Sequence, residues 1–274
     1  MTDEELRGLA SRMVGADGVV GVVLGGSRAR GEHSPESDFD LGIYYRPPLD
    51  TEALRQVAHQ VAGPASALTE PGGWGPWVDG GGWLQIGNDA VDWIYRDLDR
   101  VQRAWRDAQR GIFYFHGQVG HPLGVPDFAY AGEVALAKVL ADPTGEVGDL
   151  HHQTLTYPPE LSDALVDRLG EATFVIGGAR KATSKGDTVY VAGCLFRVVG
   201  VCVHALHGRA RRWLINEKGA VASAARLDIA PRRFGDRAHE LLAGVGRSEA
   251  QLIATLNQAE ELVADTVEAC SCRS

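Results

Sequence analysis

The apolar residues of this 274-residue chain change period near residue 125, which restricts the fold to two kinds of structure joined end to end. Ahead of that point, short β-type runs alternate with turn residues. Strands are expected at Val19–Leu24, Asp38–Tyr45, Trp83–Ile86, Ala90–Tyr95 and Ile112–His116, with helices at Glu4–Val14 and Thr51–Val61. Segment 63–82 holds seven glycines and three prolines and reads as a long loop or crossover. From Phe128 onward, apolar residues recur every three or four positions, the helical spacing. Helices are expected over Phe128–Ala141, from Tyr157 to about Ser184, and over Thr188–His207. Others are expected near Lys218–Arg226, over Arg232–Ala243, and from the capping pattern Ser248-x-x-Gln251 to about Glu268. The expectation is an α+β domain over residues 1–125 followed by an all-α helical bundle over residues 126–274.

Several classes of protein fall away on composition. With 45% hydrophobic and 23% charged residues, a chain of this length buries enough apolar surface to need no staple. Four cysteines (Cys194, Cys202, Cys270, Cys272) form no Cys-x-x-Cys pair and read as reduced thiols of a cytoplasmic protein. The acidic start Met1-Thr-Asp-Glu-Glu is unlike a signal peptide. The most apolar stretch, Val189–Leu206, carries Arg197 and His204 and reads as a buried helix rather than a membrane span. Thirty-six acids against 27 bases give a net charge of −9, which argues against charge-driven nucleic-acid binding.

The chemistry-bearing residues lie between 19 and 95. A buried strand runs into Gly25-Gly26-Ser27, and an acidic strand follows with Asp38 and Asp40. The pattern is not a P-loop, because Glu32 stands where the lysine belongs, and G-x-G-x-x-G is absent. In a strand, Asp38, Asp40, Gly42 and Tyr44 share one side and Phe39, Leu41 and Ile43 the other. Two carboxylates ~6.5–7 Å apart at Cα can lean onto one cation or a cation pair. A second strand candidate places Asp92 and Ile94 opposite Val91, Trp93 and Tyr95; beside the first strand, Asp92 completes a triad. Gly25 and Gly26 let a phosphate approach the backbone closely, and Ser27 adds a hydroxyl. These residues read as a metal-and-triphosphate site.

Gly25-Gly26-Ser27 followed by Ser37-Asp38-Phe39-Asp40-Leu41 resembles the signature of the DNA-polymerase-β-like nucleotidyltransferase superfamily, with Asp92 matching its third carboxylate. A helical second domain is similar in arrangement to aminoglycoside, lincosamide and minimal bacterial nucleotidyltransferases. The resemblance implies a mixed sheet flanked by helices in the first domain. It also implies two Mg²⁺ ions held by Asp38, Asp40 and Asp92, and transfer of AMP from ATP to a hydroxyl of a small molecule, an antibiotic being one candidate. Pyrophosphate would be released. Gly25, Gly26, Ser27 and Arg28 would bind the nucleotide, aided by Lys218 of the helical domain, in a cleft between the domains. Glu133 competes with Asp92 as the general base. Two rival readings are a transferase acting on a protein or tRNA and a non-catalytic nucleotide-binding regulator.

The remaining candidates weigh toward packing. Lys181 and Lys185 suit the end of a helix, Arg30 follows the Ser27 turn, and His116 and His121 flank the domain junction. The pair His151-His152 lacks further metal ligands nearby. Trp74, Trp77 and Trp83 beside the glycine-rich loop are candidates for packing or for stacking on a ring.

Overall fold

The computed structural model describes residues 1–271 and separates the chain into two compact units: Met1–Asp107 with Tyr114–Thr156, and Ala108–Phe113 with the chain from Tyr157 onward. The first unit runs α1 (Asp3–Met13), β1 (Val19–Leu24), α2 (Gly26–Arg30), β2 (Phe39–Tyr45), α3 (Thr51–Ala62), β3 (Gly81–Ile86), β4 (Asp89–Asp97) and α4 (Leu98–Ala108). It continues with β5 (Phe115–Gln118), β6 (His121–Pro126), α5 (Ala129–Leu136), β7 (Lys138–Ala141) and α6 (Glu146–Thr154). Five strands form one sheet in the order β3-β4-β2-β1-β7, while β5 and β6 form a separate hairpin. The β2–β4 pair is parallel and the other pairs of the large sheet are antiparallel, so the sheet is mixed, as the resemblance implies.

Strand alternation gives this sheet one apolar face. Val22 and Leu24 of β1, Phe39, Leu41 and Ile43 of β2, and Val91, Trp93 and Tyr95 of β4 are buried with Leu6, Leu9 and Met13 of α1 and Leu54 and Ala58 of α3. The opposite face holds Asp40, Gly42 and Tyr44 of β2 and Asp92, Ile94 and Arg96 of β4. Segment 63–80 is a loop whose Asp79 is buried, accepting from Gly72 N–H at 2.8 Å and from Tyr45 O–H at 2.8 Å.

The boundary expected at residue 125 lies instead at 156. The helix expected over Phe128–Ala141 ends at Leu136, and Lys138–Ala141 becomes β7, antiparallel to β1 with Val139 opposite Val23. That pairing satisfies the backbone groups on the outer edge of β1, which the helical apolar spacing of 128–141 conceals. Helix α6, unforeseen in the sequence, packs Val147 against Gly21. Arg46 bridges Asp99 at 3.0 Å and Glu146 at 2.7 Å, tying α4 and α6 to the end of β2. The strand expected at Ile112–His116 shifts to β5, because its partner β6 lies in the proline-bearing stretch first read as a junction.

In the second unit, the helix expected from Tyr157 divides at Arg168 into α7 (Pro159–Asp167) and α8 (Leu169–Arg180). There follow α9 (Thr188–Arg209), α10 (Ala220–Ala224), α11 (Phe234–Ala243) and α12 (Glu249–Ser271). Ser248 and Gln251 cap α12 reciprocally, at 3.3 and 3.1 Å. Helix α9 is long and apolar enough to cross a membrane, yet Val191, Leu195, Val198, Cys202 and Leu206 are buried among α8 and α12 residues, as a core helix requires. Cys194, Cys202 and Cys270 are free thiols; Cys272 lies outside the described residues.

A Cβ built on Gly21 meets Val147 Cγ2 at 2.8 Å and the Ala141 carbonyl at 3.1 Å. Gly21→Ala is therefore expected to destabilise the protein by ~1–3 kcal/mol in urea unfolding. Combining it with Val147→Ala should show a coupling of ~0.5–2 kcal/mol, since one change makes room for the other. Additive effects would place α6 outside this unit.

Candidate active site

The site begins where β1 ends. After Leu24, Gly25 N–H donates to Asp40 O at 2.7 Å, carrying the β1–β2 pairing one step beyond the strand. Gly26 then turns with φ +62, and a Cβ there would lie 1.7 Å from Asp40 Oδ2. Glycine is thus required twice, for the left-handed backbone and for the carboxylate lying against it. Ser27 follows, half-buried, in the short helix α2.

Two of the three acids meet across neighbouring strands, and the third stands just before one of them. Asp40 of β2 and Asp92 of β4 are register partners in the parallel pair, on the face opposite the core. Neighbouring strands lie ~4.8 Å apart, so the two carboxylates leave the sheet side by side. Asp38 stands exposed one residue before β2. Burial, and after it the charges of Asp40 and Asp38, push the Asp92 carboxyl up to about 6. Like charges crowded in this way, with only carboxylate oxygens as donors, suit a hard divalent cation such as Mg²⁺. Among the described residues no group of three or more His, Cys, Asp and Glu side chains stands already gathered at metal-binding spacing. The fit of these residues to such an ion rests on donor type and charge.

The other candidates occupy different places. Arg28 donates through Nε to Ser37 O at 2.8 Å and through Nη2 to Pro35 O at 3.4 Å, and its guanidinium lies 3.8 Å over the Phe39 ring. It pins the loop that delivers Asp38. Glu133 of α5 is gripped at both oxygens by the buried Arg96, at 2.6 and 2.8 Å, and Arg96 also donates to Val78 O and Tyr95 O. Burial works against the charge on Arg96, and the attached Glu133 outweighs it and holds the guanidinium more firmly protonated than usual. Lys218 belongs to the helical unit, where it is exposed ahead of α10; its link to a triphosphate rests on the resemblance alone.

The tryptophans divide into two roles. Trp77 is packed, stacked on His116 at 3.6 Å, with its carbonyl accepting from Tyr130 O–H at 2.6 Å. Trp83, in contrast, is 71% exposed and stacks on Trp74 at 4.5 Å. His116 also pairs with Asp127 at 3.3 Å, and His151 Nδ1 meets Val134 O at 2.8 Å, so both histidines serve the packing of the unit. Sequence reasoning missed the Arg96–Glu133 pair; the arginine two residues beyond Ile94, on the acidic side of the alternation, was its available signal.

Residues 4–64 match the family model of the nucleotidyltransferase domain, a span that includes Gly25-Gly26-Ser27, Asp38 and Asp40. Over that span, which runs from α1 through α3, the chain is similar to the nucleotidyltransferase domain family. Among solved structures, it is similar to a nucleotidyltransferase-like protein from Exiguobacterium sibiricum at 12% identity and a TM-score of 0.47, covering 97% of this chain and 76% of that one. No curated protein sequence matches the chain.

Two outcomes follow from this geometry. Gly26→Ala should leave the fold cooperative in a thermal scan but displace Asp40, removing divalent-cation binding measured by calorimetry. The raised Asp92 pKa means that the fold disfavours its ionised form, so its contribution to stability is full below about 3.8 and is lost as pH rises through about 6. In metal-free buffer at pH 7.5 (roughly physiological), Asp92→Asn is therefore expected to raise stability by up to ~1 kcal/mol after solvent screening, with the gain vanishing near pH 4 (about the ordinary carboxyl pKa).

Proposed function

We propose that this protein is a Mg²⁺-dependent nucleotidyltransferase that moves AMP from ATP onto a hydroxyl of a small molecule and releases pyrophosphate. The observation that carries the reading is the register pairing of Asp40 with Asp92 beside the Gly25-Gly26-Ser27 turn. Two Mg²⁺ ions held by Asp38, Asp40 and Asp92 would neutralise triphosphate charge and make the acceptor hydroxyl more acidic. The backbone N–H groups and hydroxyl of Gly26-Ser27 would receive the β and γ phosphates. Arg28 would keep the 31–38 loop, and with it Asp38, in place. The acceptor oxygen attacks the α-phosphorus, a new O–Pα bond forms as the bond to the β-phosphate oxygen breaks, and pyrophosphate departs with that electron pair. Asp92, beside the attacking oxygen, would orient the hydroxyl and accept its proton. The protein's contribution is chiefly positioning and charge stabilisation.

Calorimetry with ATP, with and without Mg²⁺, tests the reading directly. Wild type should bind ATP only with Mg²⁺, and Asp38→Asn/Asp40→Asn should abolish that binding while leaving the fold intact. Once an acceptor is in hand, Asp92→Asn should lower pyrophosphate release by ~10²–10⁴-fold, the usual worth of a positioned base. A wild-type protein indifferent to every Mg²⁺–nucleoside triphosphate would overturn the assignment.

A further inference from the structure

Beyond Asp92, the acidic face of the sheet ends in an aromatic surface. Trp83 of β3 is the register partner of Asp92 in β4, so the two side chains leave the sheet on the same side. The neighbouring Leu84 is buried in the core on the other side, which fixes the orientation. Trp83 is exposed, and Trp74 stacks on it with the ring planes 20° apart. Trp74 is itself held: its N–H donates to Asp79 O at 2.9 Å, and its carbonyl accepts from Gln118 Nε2 at 2.6 Å. Trp83 thus stacks on a ring whose main chain is tied on both sides, and it is exposed on the side of the sheet that carries Asp92, a surface suited to a ring partner.

The order of groups across the sheet assigns that partner. From the β1 side it runs from the Gly25-Gly26 turn to Asp40, then Asp92, then Trp83, each ~4.8 Å beyond the last. In an in-line displacement, the attacking and leaving oxygens lie on opposite sides of phosphorus. With pyrophosphate leaving toward Gly26-Ser27, the acceptor hydroxyl enters from the Trp83 side. We propose that the Trp83–Trp74 pair is the acceptor subsite and that the acceptor carries a ring able to lay an apolar face on the indole, aromatic or sugar, next to the hydroxyl that is modified. The proposal rests on the nucleotidyl-transfer reading above and names the substrate class for it.

Saturation-transfer NMR tests this with Mg²⁺ and a non-hydrolysable ATP analogue present. The probes are phenol for an aromatic acceptor, methyl glucoside for a sugar, and glycerol as the hydroxyl compound without a ring. One ring probe should bind wild type while glycerol does not, and which one binds tells the aromatic acceptor from the sugar. Trp83→Ala should weaken that probe by ~10-fold or more, as loss of a stacking platform does, and Trp83→Phe should restore most of the binding. Mg²⁺–analogue affinity should be unchanged in both variants. The subsite falls if neither ring probe binds, if glycerol binds as well, or if Trp83→Ala leaves ring binding intact. A Trp83→Ala protein that loses the ATP analogue instead would give the pair to the nucleobase and overturn the acceptor assignment. Failure of wild type to bind the analogue at all would strike the nucleotidyl-transfer reading, and this inference with it.

Discussion

The parallel pairing of β2 with β4 is the constraint on which the site depends. It aligns Leu41 with Trp93 and Ile43 with Tyr95 on the buried side, and by the same register Asp40 with Asp92 on the other. A slip of one residue would turn the acids into the core and the apolar side chains outward. Burying an unpaired carboxylate costs several kcal/mol, while each of these apolar side chains gains ~1.5–3 kcal/mol by being buried. The core therefore sets the geometry of the carboxylates, although no core side chain touches the chemistry.

Around that pair the structure stores repulsion and holds it. Asp92 is kept near Asp40 and Asp38 despite the rise this imposes on its pKa, and Gly26 admits the Asp40 carboxylate where any other residue would exclude it. Arg28 restrains the loop before Asp38 through two carbonyls and a ring face. Such local cost is characteristic of sites arranged for a charged ligand rather than for stability.

The second anchor is the buried Arg96. It ties α5 through Glu133 and the tryptophan-bearing loop through Val78 O. Removing Glu133 would strand the buried Arg96 charge, a loss of ~3–5 kcal/mol. The same loop carries Trp74, so the support under Trp83 shares its anchor with the floor of the acidic face. One ion pair thus connects the aromatic surface to the strands that bear the carboxylates.

The acidic motif and the strands carrying it were legible because both are local: period-two alternation sorts Asp40 from Leu41 and Asp92 from Trp93, and Gly25-Gly26-Ser27 marks the turn by composition alone. What escaped was decided at a distance. Lys138–Ala141 has helical apolar spacing but becomes a strand because the edge of β1 lacks a partner, and this moves the unit boundary to residue 156. Arg28 and Glu133 have the right chemistry for the site, but their contacts with Ser37 and Arg96 could not be read from the chain. Trp83 looked like any loop-flanking tryptophan until its register opposite Asp92 placed it on the acidic face. The sequence by itself determined which residues carry charge and which side of each strand they occupy, since alternation is a property of the chain. Only the tertiary structure decided which strands are neighbours, and with that which charges meet, because pairing depends on edges and cores that no local window contains.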